Sequence, residues 1–419
     1  MVPKSVLQLA TPRAYLLGGT NKIRDLLDYA LREKSQETLS LYHDEVKSLL
    51  GVETALSFAS GRAALMQILE VMGIGEGDEV IIPGYTCIVT PAAVIAVGAT
   101  PVYADIDINT LNVSPDAVEG LISSRTRAIL AQHTFGIPCE VHSLEAIAAR
   151  RGVQLIEDCA HALGAKIGNR YCGNFGSAAF FSTEQTKMIS TVKGGLAVTN
   201  DPTLGKALER SYAQLPGDDR TRVIASVARW RKRALETDPR LGGAFAFAIR
   251  RLQRLPLTST VFENAESFDT DEYREALDGY VRQPTRLSAE QAAIGLIQIS
   301  RLEDDVKRRN LIARNLTEIT RLWGWKIPTV DWENTRPSFV RFPAIVQDRQ
   351  HWLELLRHNG IEGGVWLDHP LHPAGSNFTA CGYEPGMCPN AEAASSQIIN
   401  VPVHPRCAAW MADRIANLK

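Results

Sequence analysis

Two lysines stand six positions apart in "STEQTKMISTVKGG", residues 182–195, just after the apolar "AAFF" and just before a pair of glycines. An amine at the end of a strand can attack a carbonyl, and it becomes a usable base once burial lowers its pKa toward neutrality. The acids Glu157 and Asp158 close another apolar run, "VQLI", with His161 one helical turn later. A carboxylate there either caps the next helix or holds a cationic ligand, and the residues alone leave both readings open. Upstream, "FASGRAAL" sets Ser60, Gly61 and Arg62 at the start of a helix that runs through "AALMQILEVMG". Small residues at a helix start let backbone N–H groups face an anion and the helix dipole adds to the attraction, although an ordinary N-cap has the same composition. Together these groups are more specific than apart. A lysine amine for a Schiff base, a carboxylate to keep a pyridine nitrogen protonated, and amides with hydroxyls for a phosphate are the parts that hold pyridoxal phosphate.

The elements around these groups must deliver them to one place. "DEVIIPG", "TPVYADID", "RAILAQHTFG" and "VQLIEDCA" read as strands; "TPAAVIAVG", "SPDAVEGLISS" with a Ser114 cap, and "SLEAIAARRG" read as the helices between them. Apolar strands without alternation, separated by amphipathic helices, predict a parallel sheet covered on both faces. Functional groups in such a sheet belong just beyond the carboxyl ends of its strands. The stretch from Val80 to Ala104 runs 25 residues without a charge, but Pro83, Gly84, Pro91, Gly98 and Pro101 divide it into pieces too short to span a membrane.

Composition narrows the class further. A chain of 419 residues is expected to form a large and a smaller domain, and a net charge of -2 with 22% charged residues gives no reason to expect nucleic acid as a partner. Seven scattered cysteines without a metal-ligand rhythm, and an N-terminus without a secretory apolar core, predict a reducing cytoplasm and no structural metal.

Five blocks carry a family likeness: "SGRAALMQILEVMGIGEGDEVIIPGYT", "GATPVYADID", "HTFGIPCEVHSLEAIAARRGVQLIEDCAHALGA", "GSAAFFSTEQTKMISTVKGGLAVTND" and "RLSAEQAAIGLIQISRLEDDVKRRN". In them the chain resembles the DegT-type (DegT/StrS) sugar-nucleotide aminotransferases, which use pyridoxal phosphate and belong to the aspartate aminotransferase superfamily (fold type I). The resemblance implies an α/β fold: a large domain with a mostly parallel sheet sandwiched by helices, plus a smaller C-terminal α+β domain. The expected boundaries are 1–203 for the cofactor domain, 204–281 for a connection, and 282–419 for the small domain.

The same resemblance assigns roles. The family's cofactor lysine lies seven residues before the paired glycines, which selects Lys187; Lys193 stands where the family usually has an acid. Asp158 would meet the pyridine nitrogen and His161 would lie near the ring or its hydroxyl, while Ser60, Gly61, Arg62 and Ser182 would hold the phosphate. The position of the aromatic that often covers the ring is Cys87 here, which leaves Tyr85, or another cover, to serve. Arg286 survives in a segment that crosses a dimer interface, although Pro284 replaces the asparagine two residues before it. His369 and His372 fall in a late "PLH" segment expected near the substrate.

The expected reaction is transfer of an amino group, from L-glutamate by resemblance, to a keto sugar linked to a nucleotide, through a pyridoxamine phosphate form. Alternatives are a cyclitol or other secondary-metabolite ketone as acceptor, a sugar dehydratase, or a cofactor-binding regulator. A homodimer with shared sites is expected. Between Arg220 and Arg254 ten Lys or Arg face two acids, and apolar residues follow in "GAFAFAIRRLQRL". This stretch is expected to serve structure or substrate rather than a membrane surface.

Overall fold

The computed structural model describes residues 35–218, 221, 223–227, 283–359, 361, 363–373 and 378–404. In chain order its strands are β1 (Thr54–Phe58), β2 (Glu79–Pro83), β3 (Thr86–Cys87), β4 (Thr100–Ala104), β5 (Thr126–Gln132), β6 (Gln154–Asp158), β7 (Lys166–Ile167), β8 (Arg170–Tyr171), β9 (Ala178–Ser182), β10 (Gly195–Thr199), β11 (Thr335–Arg336), β12 (Phe342–Ile345), β13 (Leu371–His372) and β14 (Ile398–Val401). The helices are α1 (Ser35–Leu50), α2 (Gly61–Val71), α3 (Val89–Ala96), α4 (Pro115–Leu121), α5 (Val141–Arg151), α6 (Pro202–Gln214), α7 (Ala289–Ile299), α8 (Leu302–Arg321), α9 (Arg349–His358) and α10 (Pro389–Gln397). The strand and helix order expected from the first half of the sequence is the one observed.

Seven strands form the central sheet in the order β1-β10-β9-β6-β5-β2-β4. From β4 to β9 all neighbours are parallel, and only β10 runs against its neighbours β9 and β1. The sequence explains the burial. All five residues of "EVIIP" in β2 and of "GLAVT" in β10 are buried, as strands between two helical layers must be. Successive residues serve opposite layers: Leu130 and Ile156 join one core with Phe58, Ile68 and Phe181, while Ile129 and Leu155 join another with Ile81 and Leu144. That alternation sets the directions of the two acids at the end of β6. Asp158 points to the side of Ile156 and Glu157 to the side of Leu155.

Register then gathers the strand ends. Phe58 pairs with Gly195 and Gly195 with Ser182, so the end of β1, the start of β10 and the end of β9 lie in one row. Only two residues separate β1 from the start of α2, which therefore sits against this row. Contact is so close at Gly195 that a Cβ there would lie 2.4 Å from the Gly61 nitrogen. Only glycine permits that approach.

A second core, built from Leu316, Trp325, Phe342, Leu356 and Ile399, unites α8, α9 and the antiparallel pair β12–β14. The later part of the chain also meets the first half through β13, which pairs in parallel with β3 in a separate two-stranded sheet and sets His372 beside Cys87. Helix α7 opens with a capping box between Ser288 and Gln291, and its polar side chains reach back to the lysine loop. Gln298 bonds both the N–H and the carbonyl of Ser190, and Gln291 Nε2 donates to the carbonyls of Thr191 and Lys193. No helix among the described residues is long and apolar enough to cross a membrane. The apolar run "GAFAFAIRRLQRL" lies outside the described residues.

Candidate active site

A cavity opens at the carboxyl ends of β5, β6 and β9, where the sheet rule places it. Ser60, Gly61, Arg62, Cys87, Asp158, His161, Ser182 and Lys187 all line it, together with Thr86, Thr90, Gln132, Glu184 and Gly194. Lys193 does not line it. Its carbonyl accepts from the Thr191 hydroxyl and from Gln291, so the geometry separates the two lysines of the opening motif.

The anion end is built by α2. Ser60 is its N-cap, and its hydroxyl accepts from the Ala63 N–H at 3.1 Å. Capping at that position stabilises the helix by about 1 kcal/mol and sets Gly61 and Arg62 in the first turn, at the positive end of the helix. The Ser182 side chain faces them: a Cβ on Gly61 would meet the Ser182 Cβ at 3.2 Å. At the other end lies Asp158, 4% exposed. Burial pushes its carboxyl up to about 6, against which the Ala160 N–H and the Lys187 charge act only in part. A carboxyl so placed gains by meeting a cation, which is what a protonated ring nitrogen provides. This donor set fits pyridoxal phosphate: an N–H and hydroxyl cradle at one end, a buried carboxyl at the other, and an amine between.

His161 packs beside the same cavity. Its Nδ1 accepts the Phe135 N–H at 3.2 Å, which leaves the proton on Nε2. Burial, and then the charges of Lys187 and His372, hold its pKa well below the ordinary value. The imidazole is therefore neutral and a donor at Nε2.

The loop between Lys187 and the twin glycines holds a strained residue. Val192 has φ +74°, a left-handed conformation that costs a β-branched residue about 1–3 kcal/mol. Packing against Val223, Val227 and Ile294 and a bond from its N–H to the Ser190 hydroxyl at 3.1 Å hold it there.

Two expected residues stand elsewhere. Tyr85 is fully buried outside the cavity lining, and burial and the Asp368 charge raise its phenol well above the ordinary value, with Arg349 opposing. The residue on the cavity wall is Cys87. Arg286 does not line the cavity of its own chain; its main chain bridges Phe58 and Gly217, and its guanidinium carbon is 5.8 Å from the Tyr212 ring centroid. Of the late histidines, His372 Nδ1 donates to Asp368 Oδ1 at 2.8 Å, and His369 Nδ1 lies 3.1 Å from the same oxygen without hydrogen-bond geometry.

Glu157 turns away from the cavity, as its parity in β6 requires. The N–H groups of Gly173, Phe175 and Gly176 donate to its two oxygens at 2.6–2.9 Å, and His133 Nε2 donates at 3.1 Å. Burial alone would raise its pKa, but the bond from His133 and the amides hold it below the usual carboxylate range. His133, Glu157 and Cys159 are close enough for a metal. Yet His133 Nδ1 already accepts the Cys139 N–H and both Glu157 oxygens are engaged. Hydrogen bonds occupy the ligand atoms that an ion would need.

Sequence reasoning missed Gln132 and Trp366. Gln132 is the register partner of Asp158 and shares its face. Its amide accepts from Thr86 Oγ1 at 2.6 Å and donates to the Tyr85 carbonyl and Thr134 Oγ1 at 2.9 Å, which ties the turn before Cys87 to β5. The strand-end rule that marked Asp158 also marks Gln132. No local signal marks Trp366, which reaches Lys187 and His161 from the C-terminal part of the chain.

Known proteins share both the sequence pattern and the fold. The model of the DegT/DnrJ/EryC1/StrS aminotransferase family matches residues 21–223 and 259–418. An L-glutamine:2-deoxy-scyllo-inosose aminotransferase of Streptomyces kanamyceticus is 44% identical over 155 residues, 37% of this chain and 36% of that protein. A UDP-N-acetyl-3-dehydro-alpha-D-glucosamine 3-aminotransferase of Acidithiobacillus ferrooxidans is 38% identical over 197 residues, 47% of this chain and 52% of that protein. The chain thus spans about a third to a half of the length of these curated relatives. Its fold matches the crystal structure of a DegT DnrJ EryC1 StrS aminotransferase from Brucella abortus with a TM-score of 0.74 at 25% identity, over 96% of this chain and 95% of that one. With the family model covering most of its length, the chain belongs to the DegT/DnrJ/EryC1/StrS aminotransferase family.

Proposed function

We propose that this chain is a pyridoxal-phosphate-dependent aminotransferase that moves an amino group from an α-amino acid to a ketone on a sugar ring. The observation that carries the reading is the convergence of Lys187, Asp158, Ser182 and the start of α2 on one cavity. Bound there, the cofactor supplies a carbonyl that exchanges amines and a ring that withdraws electrons. Lys187 Nζ would anchor it and, once released, would carry a proton between the bound substrate's carbon and the cofactor in each half of the reaction. Asp158, ionised by its partner, keeps the ring nitrogen protonated. The N–H groups of Gly61 and Arg62, with the Ser182 hydroxyl, bind the phosphate at the positive end of α2. His161 offers its Nε2–H to an oxygen on the same ring.

A nucleotide-linked keto sugar is the acceptor, and L-glutamate the donor, that the family likeness favours. The names of the relatives support a second reading, in which L-glutamine is the donor and 2-deoxy-scyllo-inosose the acceptor. Lys187 on the cavity wall favours transfer over dehydration. The working unit is a cytoplasmic homodimer in which Arg286 serves the partner's site, a role supported by its place outside its own cavity. Protein loaded with pyridoxal phosphate is expected to be yellow and to bleach with L-glutamate or L-glutamine. Protein that stays colourless refutes the reading. The aminated form, mixed in single turnovers with keto sugars with and without a nucleotide and with 2-deoxy-scyllo-inosose, identifies the acceptor.

A further inference from the structure

Trp366 reaches the site from the C-terminal segment, just before β13 pairs with β3. Its indole is 4% exposed. The Lys187 Nζ lies 4.3 Å from the centroid of its ring system, and the His161 ring packs against it at 4.5 Å. Phe135 meets it edge-on at 6.2 Å.

A cofactor lysine must serve twice in a cycle, once bound and once free. When free it is a flexible chain whose rotamer freedom is worth about 2 kcal/mol, and it must stay within reach of the reacting carbon. It also alternates between amine and ammonium. An aromatic face attracts the ammonium and not the amine, and it attracts it more strongly where water is excluded. Asp158 also attracts the Lys187 charge, but in the working enzyme that carboxylate is engaged by the cofactor ring. The indole face lies 4.3 Å from the amine whether or not that carboxylate is engaged.

We propose that Trp366 is a positioning residue that holds the protonated Lys187 amine against its ring while the lysine is detached from the cofactor, so that the C-terminal segment completes the cradle of the catalytic lysine. The inference rests on the reading of Lys187 as the cofactor lysine. The neutral state of His161 belongs to the same device, because an imidazolium against the indole would compete for its face. The charged or titratable groups around the pair are Asp158, Glu184 and Arg62 on the cavity wall, His161 with His372 behind it, and Arg341, whose guanidinium carbon is 5.8 Å from the Trp366 ring.

The test measures the lysine itself. Cofactor-free protein is labelled with trace acetic anhydride across pH 6–11, and the Lys187 peptide is quantified by mass spectrometry in the parent, W366F and W366L. The midpoint reports protonation and is insensitive to a uniform change in access. Loss of an indole face is expected to lower it by about half to one pH unit, a three- to tenfold change in the protonation equilibrium, with W366F between the other two. In the holoenzyme kcat should fall several-fold while the donor KM holds. If W366L does not fold, W366F alone must still titrate below the parent. A midpoint equal to the parent's in every variant that folds overturns the proposal. Borohydride mapping of the parent is separate: a cofactor found on a lysine other than Lys187 refutes the functional reading, whatever the titration shows.

Discussion

Replacing Asp158 by asparagine should stabilise the cofactor-free protein and cripple the enzyme, two effects of opposite sign from one buried carboxyl. In the cofactor-free fold burial raises its pKa from 3.8 to about 6. A raised carboxyl favours the folded state fully below pH 3.8, and that advantage is lost as the pH rises through 6. About two pH units at 1.36 kcal/mol each make the ionised carboxylate cost the cofactor-free protein about 3 kcal/mol at pH 8. The asparagine side chain carries no charge to bury and keeps an oxygen for the Ala160 N–H, now bound at 3.0 Å. Melting curves of cofactor-free D158N and parent should therefore coincide near pH 4 and separate in favour of the variant by pH 8. D158A forfeits that hydrogen bond and should gain less, by about 1 kcal/mol.

With cofactor bound the balance reverses. On the proposed reading the cofactor's ring nitrogen is the cation that Asp158 would meet, and an amide could not keep it protonated. Single-turnover transfer should fall by roughly a hundred- to a thousandfold in D158N, the scale seen when a preorganised electrostatic partner is removed. A D158N variant that melts below the parent at pH 8 and turns over normally would refute the reasoning. The carboxylate would then be a helix cap and nothing more.

Borohydride reduction and peptide mapping should place the cofactor on Lys187, and Lys187→Ala should bind pyridoxal phosphate without covalent attachment; label on Lys193 would show the register to be wrong. Gly195→Ala puts a methyl 2.4 Å from the Gly61 nitrogen, and displacing the start of α2 at about 1–3 kcal/mol should weaken cofactor binding by roughly five- to a hundredfold in equilibrium titration. Mixing inactive Lys187→Ala and Arg286→Ala chains under subunit exchange should restore part of the activity, because one site of each heterodimer then carries neither defect. No recovery in proven heterodimers would put both residues in one chain's site.

How far the site could be read from the sequence depended on how far the chain travels to make each part. Asp158, Ser182 and the start of α2 were legible because each is the end of one apolar strand or the beginning of one helix, and the rule for a parallel sheet needs no further information. The choice between Glu157 and Asp158 was open only until the parity of β6 was known, since adjacent residues of a strand must face opposite layers. Tyr85 and Cys87 share a parity, so alternation could not choose between them. Pairing of β3 with β13 puts Cys87 on the cavity wall while Tyr85 is buried outside the lining. That pairing joins segments some 285 positions apart and no local pattern announces it. Trp366 arrives by the same route, which is why an aromatic whose ring lies 4.3 Å from Lys187 Nζ left no trace in a reading built on motifs. Long-range register carries the later half of the site. It brings Trp366 against Lys187 and His161, which no strand-end rule could foresee.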